Sequence, residues 1–175
     1  MPAVKTERLI QGMIAVCLAV LVWTVADAMR EKVVAAGDTA PAFSISTDTG
    51  RTITRADFGG KLLVLNFWAT WCPPCIEEMP SLNEFQKTFA GSGVVVLGVS
   101  VDQNAQAYRK FLAKAKVEFQ TARDPESKIS SDYGTFKYPE TYIINREGRV
   151  VEKIIGSANW TDSGMIDRVK ALLAS

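Results

Sequence analysis

The amino-acid sequence predicts an α/β fold: a central mixed β-sheet flanked by helices. Three observations carry it. Two continuous apolar runs, "KLLVLNFWA" and "GVVVLGVSVD", have the length of strands buried on both faces. Stretches with helical apolar spacing alternate with them. Short segments that alternate around turn residues stand near both ends of the domain and read as hairpins.

Taken in order, "APAFSISTDTGRTIT" alternates around a Thr-Gly turn and predicts strands near Phe43–Ser46 and Thr52–Thr54. "KLLVLNFWA" follows, bounded by Gly59 and Gly60 on one side and by a cysteine pair on the other. A helix is expected from Pro73, because proline is tolerated in a first turn and Glu77 and Glu78 suit the positive end of the helix dipole. Leu82, Phe85 and Phe89 form its apolar face, and Pro80 falls inside it, where it should kink the helix. "GVVVLGVSVD" is the next strand. "NAQAYRKFLAKA" is an amphipathic helix with Tyr108, Phe111 and Leu112 on one side. "VEFQTARD" reads as a short strand and Pro125–Tyr133 as a short helix. "TYIINREGRVVEKIIG" gives two strands around a turn that contains Gly148. The last segment is a helix with Thr161 as N-cap and Ile166, Val169, Leu172 and Leu173 on its face. No repeat or low-complexity tract interrupts the series.

Ahead of this domain, Leu9–Ala26 ("LIQGMIAVCLAVLVWTVA") carries no charge. A bilayer-spanning helix needs about 17–25 such residues. Lys5 and Arg8 precede the run, and Asp27, Arg30, Glu31 and Lys32 follow it, so the charges give only a slight bias toward a cytoplasmic amino end. The run is longer than the roughly 7–15 residues of a signal-peptide core, which favours an uncleaved anchor over residues 1–28. A linker over 29–36 and a domain over 37–175 complete the division. The alternative is a cleaved signal peptide ending at Ala26-Asp27-Ala28. Both place the rest of the chain outside the cytoplasm. Cys17, inside the run, reads as a small lipid- or helix-facing hydrophobe. Val16 before it is too large for a typical lipoprotein cleavage site.

Composition excludes several functions. The chain of 175 residues has a net charge of +1, so no basic field argues for nucleic acid. It contains no histidine, which removes Ser-His and Cys-His catalysis and most zinc and copper sites. Ile76 after Cys75 rules out a C-x-x-C-H haem attachment. With three cysteines, a dense disulfide framework and a four-thiolate zinc site are both out of reach within one chain. No metal site is expected.

Two cysteines remain to be explained, in "NFWATWCPPCIEEMP" (Asn66–Pro80). A cysteine at a helix start faces unpaired backbone N–H groups and the helix dipole, and both favour the thiolate; such thiols titrate at about 3.5–7.5 against about 8.5 when free. Cys75 lies three residues on, on the same helical side and deeper. The pattern divides the labour: Cys72 exchanges with an external disulfide and Cys75 resolves the mixed disulfide. Three other readings stand beside it. A structural disulfide over so small a loop gains little chain entropy. A metal-holding or client-holding module would use the cysteines as ligands. A peroxidatic cysteine would sit in P-x-x-x-T-x-x-C, whereas here the proline position is Leu65 and the threonine position is Ala69.

"FWATWCPPC" resembles the active site of thioredoxins, and specifically their membrane-tethered TlpA/ResA-like branch, which includes reductases of cytochrome c maturation. The likeness runs from about Gly37 to the C-terminus. "GDTAPAFSI" is similar to the branch's opening G-x-x-A-P-x-F, Pro80 matches its helix-kinking proline, and "KYPETYIINREGRVV" resembles its cis-proline segment. The resemblance implies a thioredoxin fold with an N-terminal hairpin and a central βα insertion, "VVVLGVSVDQNAQAYRKFLAKA". It implies that Pro139 is the cis-proline and that Tyr138 offers backbone groups to an extended client. The implied substrate surface comprises Trp71, Pro73, Pro74, Tyr138, Pro139 and Thr141. Trp68 and Trp71 are expected to wall the site, at least one of them as core packing. Thioredoxins place a buried Asp where this chain has Asn66. The related apocytochrome reductases carry a Glu at the position of Glu78, which makes Cys72, Cys75 and Glu78 the implied catalytic set, with Glu78 as proton acceptor. The expected function is that of a membrane-tethered, extracytoplasmic thiol–disulfide oxidoreductase, single-pass in the cell membrane, that reduces exported clients such as apocytochrome c. A membrane thiol-electron donor would re-reduce it. No bound cofactor is required, since the electrons travel on the cysteines. A peroxiredoxin-like peroxidase or a metal- or client-binding module is the alternative.

Overall fold

The computed structural model describes residues 3–28 and 33–174. The chain divides into two compact units, Met1–Lys32 and Val33–Ser175. Met29–Lys32, the first half of the expected linker, lies outside the described residues, as do the side chains at the candidate cleavage site Ala26-Asp27-Ala28. In the first unit, helix α1 runs Ala3–Ala28. Its side chains are described at Arg8 and residues 10–25, all of them exposed, with Met13, Val22 and Trp23 among the most open. Among the described residues no helix is long and apolar enough to cross a membrane; the uncharged run Leu9–Ala26 is described only in part.

In the second unit, a hairpin of β1 (Ser44–Ser46) and β2 (Thr52–Thr54) stands apart from a five-stranded sheet. The sheet contains β3 (Leu62–Trp68), β4 (Val94–Ser100), β5 (Gln120–Arg123), β6 (Glu140–Ile144) and β7 (Val150–Ile155), in the order β5-β4-β3-β6-β7. The β3–β4 and β4–β5 pairs are parallel; β6 pairs antiparallel with both β3 and β7. The helices are α2 (Pro73–Thr88), α3 (Ala105–Ala115), α4 (Lys128–Asp132) and α5 (Ser163–Ala174). This is the mixed sheet with flanking helices that the sequence predicts.

All seven residues of β3 are buried, as its unbroken apolar run requires. Side chains alternate along a strand. Leu62, Val64 and Trp68 therefore join one core with Leu82 and Phe85 of α2, while Leu63, Leu65 and Phe67 join the other with Tyr133 and Tyr142. Burying each such side chain stabilises the fold by about 1.5–3 kcal/mol, so this strand anchors the sheet. The same alternation turns the one polar residue of β3, Asn66, toward α2. Gly98 of β4 sits opposite Asn66 in register, and a Cβ there would fall 2.7 Å from the Phe119 ring and 3.1 Å from Trp68 Nε1.

Elements begin and end where side chains cap them. Asn104 caps α3 by accepting from Gln106 N and Ala107 N. Asp124 accepts from Lys128 N and Ile129 N, which starts α4 at Lys128 and leaves Pro125–Ser127 as a turn rather than helix. The expected cap of α5, Thr161, is displaced by its neighbour. Thr161 Oγ1 donates to Asn159 Oδ1, and Asp162 accepts from Gly164 N and Met165 N instead. The β1–β2 turn is tied to the sheet. Thr47 bridges Ala122 of β5, and Asp48 Oδ2 accepts from Tyr108 and Thr121, each at 2.6 Å. On the far side, Thr39 bridges Arg149 beside β7.

Candidate active site

The cysteine pair sits where β3 feeds into α2. Cys72 is the N-cap of α2, with extended backbone, and Pro73 and Pro74 occupy the first helical positions. Neither proline has an N–H, so the first amide able to reach the Cys72 sulfur is that of Cys75, which donates to Sγ at 3.3 Å. The two sulfurs are bonded, with Cα atoms 5.3 Å apart. Cys72 retains 5% exposure and Cys75 none. Pro73 is exposed and Pro74 half-buried, so the surface around Cys72 is formed in part by proline rings.

The loop before Cys72 is held by a carboxylate that sequence reasoning missed. Asp102, just past the end of β4, accepts from Thr70 N at 2.9 Å and from Thr70 Oγ1 at 2.6 Å. Ser100 Oγ adds a third bond at 2.6 Å. Asp102 is 3% exposed. An acid closing an otherwise apolar strand was the available signal, since buried acids are rare without partners. Thr70 fixed in this way leaves Trp71 pointing outward, 63% exposed, where its ring meets that of Tyr138 edge-on at 5.9 Å. Trp68 goes the other way. It is fully buried, against Tyr108 and Phe111, so it belongs to the core and not to the wall of the site.

The peptide bond between Tyr138 and Pro139 is cis. Pro139 is buried and Tyr138 half-buried, and the Trp71–Tyr138 contact joins this loop to the residue before Cys72. Thr141 lies directly across from Asn66 in the antiparallel β3–β6 register. It is 1% exposed, and its hydroxyl accepts from Asn66 Nδ2 at 2.9 Å, so its side chain supports the site from behind.

Behind the cysteines, Glu78, the sixth residue of α2 and three past Cys75, is 3% exposed. Its Oε1 accepts from Asn66 Nδ2 at 2.8 Å. Its Oε2 accepts from Ala158 N at 3.1 Å and Trp160 Nε1 at 3.3 Å, both in the loop between β7 and α5. Burial drives its pKa above the ordinary glutamate value, and the bonds from Ala158, Asn66 and Trp160 oppose that rise. Glu78 also borders an open cleft of about 330 Å³ between α2 and this loop, with Ser81 and Ala158. A proton on it has a route to solvent. Glu77, next to it, is exposed. Asn66 Nδ2 serves two acceptors while its buried Oδ1 has no partner. Trp160 and Ala158 were not foreseen; a lone Trp in the polar stretch "SANWTD" was their one trace in the sequence.

The arrangement can therefore present one reachable sulfur at a helix N-terminus, a second shielded sulfur, and a proton-holding carboxyl behind them. Among the described residues no group of three or more Cys, Asp or Glu is placed to hold a metal ion.

Comparison with known proteins agrees with this geometry. Residues 36–153 match the AhpC/TSA family. The thiol-disulfide oxidoreductase ResA of Bacillus anthracis is 37% identical over 120 residues, 69% of each chain. That of Geobacillus thermodenitrificans is 35% identical over 162 residues, covering 90% of this chain and 93% of the relative. Among solved structures, a putative thiol:disulfide interchange protein DsbE from Chlorobium tepidum superposes with a TM-score of 0.75 at 31% identity, covering 80% of this chain and 99% of its own.

Proposed function

This chain belongs to the AhpC/TSA family and is a thiol–disulfide oxidoreductase, and we propose that it works as a reductase of disulfides in exported client proteins, tethered to the membrane by α1. The observation that carries the reading is the asymmetry of the cysteine pair: Cys72 reachable at the N-cap of α2, Cys75 sealed behind it.

In the reduced enzyme the Cys72 thiolate attacks one sulfur of a client disulfide. A mixed disulfide forms and the client's other sulfur leaves as a thiolate. Cys75 then gives its proton to the Glu78 carboxylate and attacks Cys72 Sγ. The Cys72–Cys75 disulfide forms and the second client thiol is released. Two electrons have passed from the cysteine pair to the client, and no cofactor is needed. Trp71, Pro73, Pro74, Tyr138 and Pro139 frame the client's backbone around Cys72, with Thr141 and Asn66 holding Glu78 in place. A membrane thiol-electron donor restores the dithiol, and apocytochrome c is the client that the resemblance to the TlpA/ResA-like branch implies.

The peroxidatic reading is disfavoured by Thr70. Its hydroxyl donates to Asp102 Oδ1, away from the cysteines, and Ala69 occupies the position such enzymes give to threonine. Tethering is supported by the uncharged run Leu9–Ala26, which lies on a helix of 26 residues. At about 1.5 Å per residue the whole helix measures about 39 Å and its uncharged run about 27 Å, against roughly 30 Å of bilayer hydrocarbon.

The test is turnover of insulin disulfides by variants. Cys72→Ser is expected to abolish it, and Cys75→Ser to accumulate a mixed disulfide through Cys72. Unchanged turnover in both variants would overturn the reading. Retention in the membrane pellet after alkaline extraction tests the tether; release into the supernatant speaks against it.

A further inference from the structure

Opposite the cysteines, at the start of β3 and the end of β6, the domain carries a second cleft. Leu63 and Ile144 pair in register there, at the far end of β3 from Trp68. The cleft has a volume of about 280 Å³, and its lining combines apolar Phe58, Leu63 and Ile144 with the cations Arg55 and Arg146. Arg55 is the unusual member. Its Nε is buried and has no hydrogen-bond partner. Among the described residues it makes no ion pair. Its charge acts on the buried phenol of Tyr133. A buried guanidinium N–H without an acceptor is costly, and such a group calls for an ion or polar ligand.

The backbone makes room for this side chain. Gly148, in the β6–β7 turn, has φ +80°, and a Cβ on it would collide with Arg55 Nη1. Arg146 reaches the same cleft and spends one of its donors, Nη2, on Leu173 O at 3.2 Å. The guanidinium fork presents several N–H groups in a plane, so donors remain for a further acceptor.

The geometry points to this cleft as a binding site for a small phosphate-type oxyanion, separate from the redox site. Two guanidinium groups match a phosphate, which carries up to two charges near neutral pH and offers several strong acceptor oxygens. Glu147 also lines the cleft, but it is exposed to solvent and is the one charge there that opposes an anion. At about 280 Å³ the cleft lies just under the roughly 300–1,000 Å³ of pockets that enclose drug-sized ligands, which favours a small ion over a whole nucleotide. It suits inorganic phosphate or the phosphodiester of a glycerolipid headgroup.

The experiment is calorimetric titration of the full chain, in uncharged detergent, with inorganic phosphate and with glycerophosphoglycerol, using chloride at matched ionic strength as blank. Saturable binding of one equivalent is expected for at least one of the two. Tighter binding of inorganic phosphate identifies a free-phosphate site, and tighter binding of glycerophosphoglycerol identifies a lipid headgroup site. Arg55→Gln should weaken binding at least tenfold and Arg146→Gln several-fold, while Glu147→Gln tightens it two- to threefold. Arg146 and Glu147 are exposed, so their variants report on binding even where Arg55→Gln fails to fold. Insulin turnover should stay at the wild-type level in Arg146→Gln and Glu147→Gln. Absence of saturable binding to both probes, or wild-type binding in Arg55→Gln and Arg146→Gln, overturns the assignment.

Discussion

Replacing Glu78 by Gln separates its structural role from its chemical one. The carboxylate accepts three N–H bonds, from Asn66, Ala158 and Trp160. Glutamine has a single acceptor oxygen. If that oxygen keeps the Ala158 and Trp160 donors, the new NH₂ faces Asn66. The amide of Asn66 then turns, and its Oδ1, unpartnered in the wild type, accepts from the new NH₂ and from the Thr141 hydroxyl. The cost is a charge-assisted bond exchanged for a neutral one, plus an Asn66 NH₂ turned to where Oδ1 had no partner, about 2–4 kcal/mol together. The removal of a buried charge offsets part of it, so Glu78→Gln should fold.

The pH dependence carries the test. The folded-state pKa of Glu78 lies above its unfolded value, chiefly through burial. The folded state then holds more protons than the unfolded state between those two values, and wild-type stability falls as pH rises through that window. It is fully present below the unfolded glutamate value of about 4.3 and is lost above the folded one. Glu78→Gln lacks this decline. Urea unfolding of the oxidised forms from pH 4 to 8.5 should show the wild type losing ground to the variant as pH rises. Over the same range, insulin turnover in the variant should drop by about 10²–10⁴-fold, the usual worth of a positioned proton acceptor. A stability difference that is flat with pH, or that grows in favour of the wild type, would refute the assignment of Glu78 as a buried, proton-holding carboxyl.

Two further substitutions test the scaffold around the site. Asp102→Asn replaces an acceptor oxygen by NH₂ where Thr70 and Ser100 donate; it should cost about 1–3 kcal/mol in urea unfolding and slow insulin turnover as the Trp71–Cys72 loop loosens, and no change in either measurement would show the clamp to be idle. Gly98→Ala drives a methyl group to 2.7 Å from the Phe119 ring; overpacking of about 1–3 kcal/mol should lower the thermal midpoint, and an unchanged midpoint would mean that Phe119 moves aside freely.

How far the sequence disclosed this arrangement depends on how local each signal is. β3 was legible because a strand buried on both faces must be apolar throughout, and "LLVLNFW" departs from that only at Asn66. The placement of Cys72 at a helix start was legible from Pro73 and the acids that follow. Glu78 could be proposed from its spacing to Cys75, but its partners could not. Trp160 is 82 residues away and meets Glu78 only after the sheet has folded and the β7–α5 loop has returned to α2. Asp102 is 32 residues from Thr70 and was hidden for the same reason. The shift of the α5 cap from Thr161 to Asp162 shows the limit at short range. Both residue types cap helices, and the choice fell to Asn159, which takes the threonine hydroxyl first.

The segment that precedes β3 touches both outer strands of the sheet, Thr47 beside β5 and Thr39 beside the start of β7. Unpaired backbone on an outer strand is a template for another extended chain. An enzyme that worked as proposed, on extended client chains, would meet such templates' partners at every turnover. Its own N-terminal segment bridges one point on each rim, Ala122 in β5 and Arg149 just before β7, and so narrows the places where a client of the proposed kind could add as a strand instead of docking at the Tyr138–Pro139 loop. The stretch from Thr39 to Asp48 thus guards the fold against its own substrates, and its loss would be felt first as aggregation in the presence of client, before any fall in the intrinsic rate of disulfide exchange.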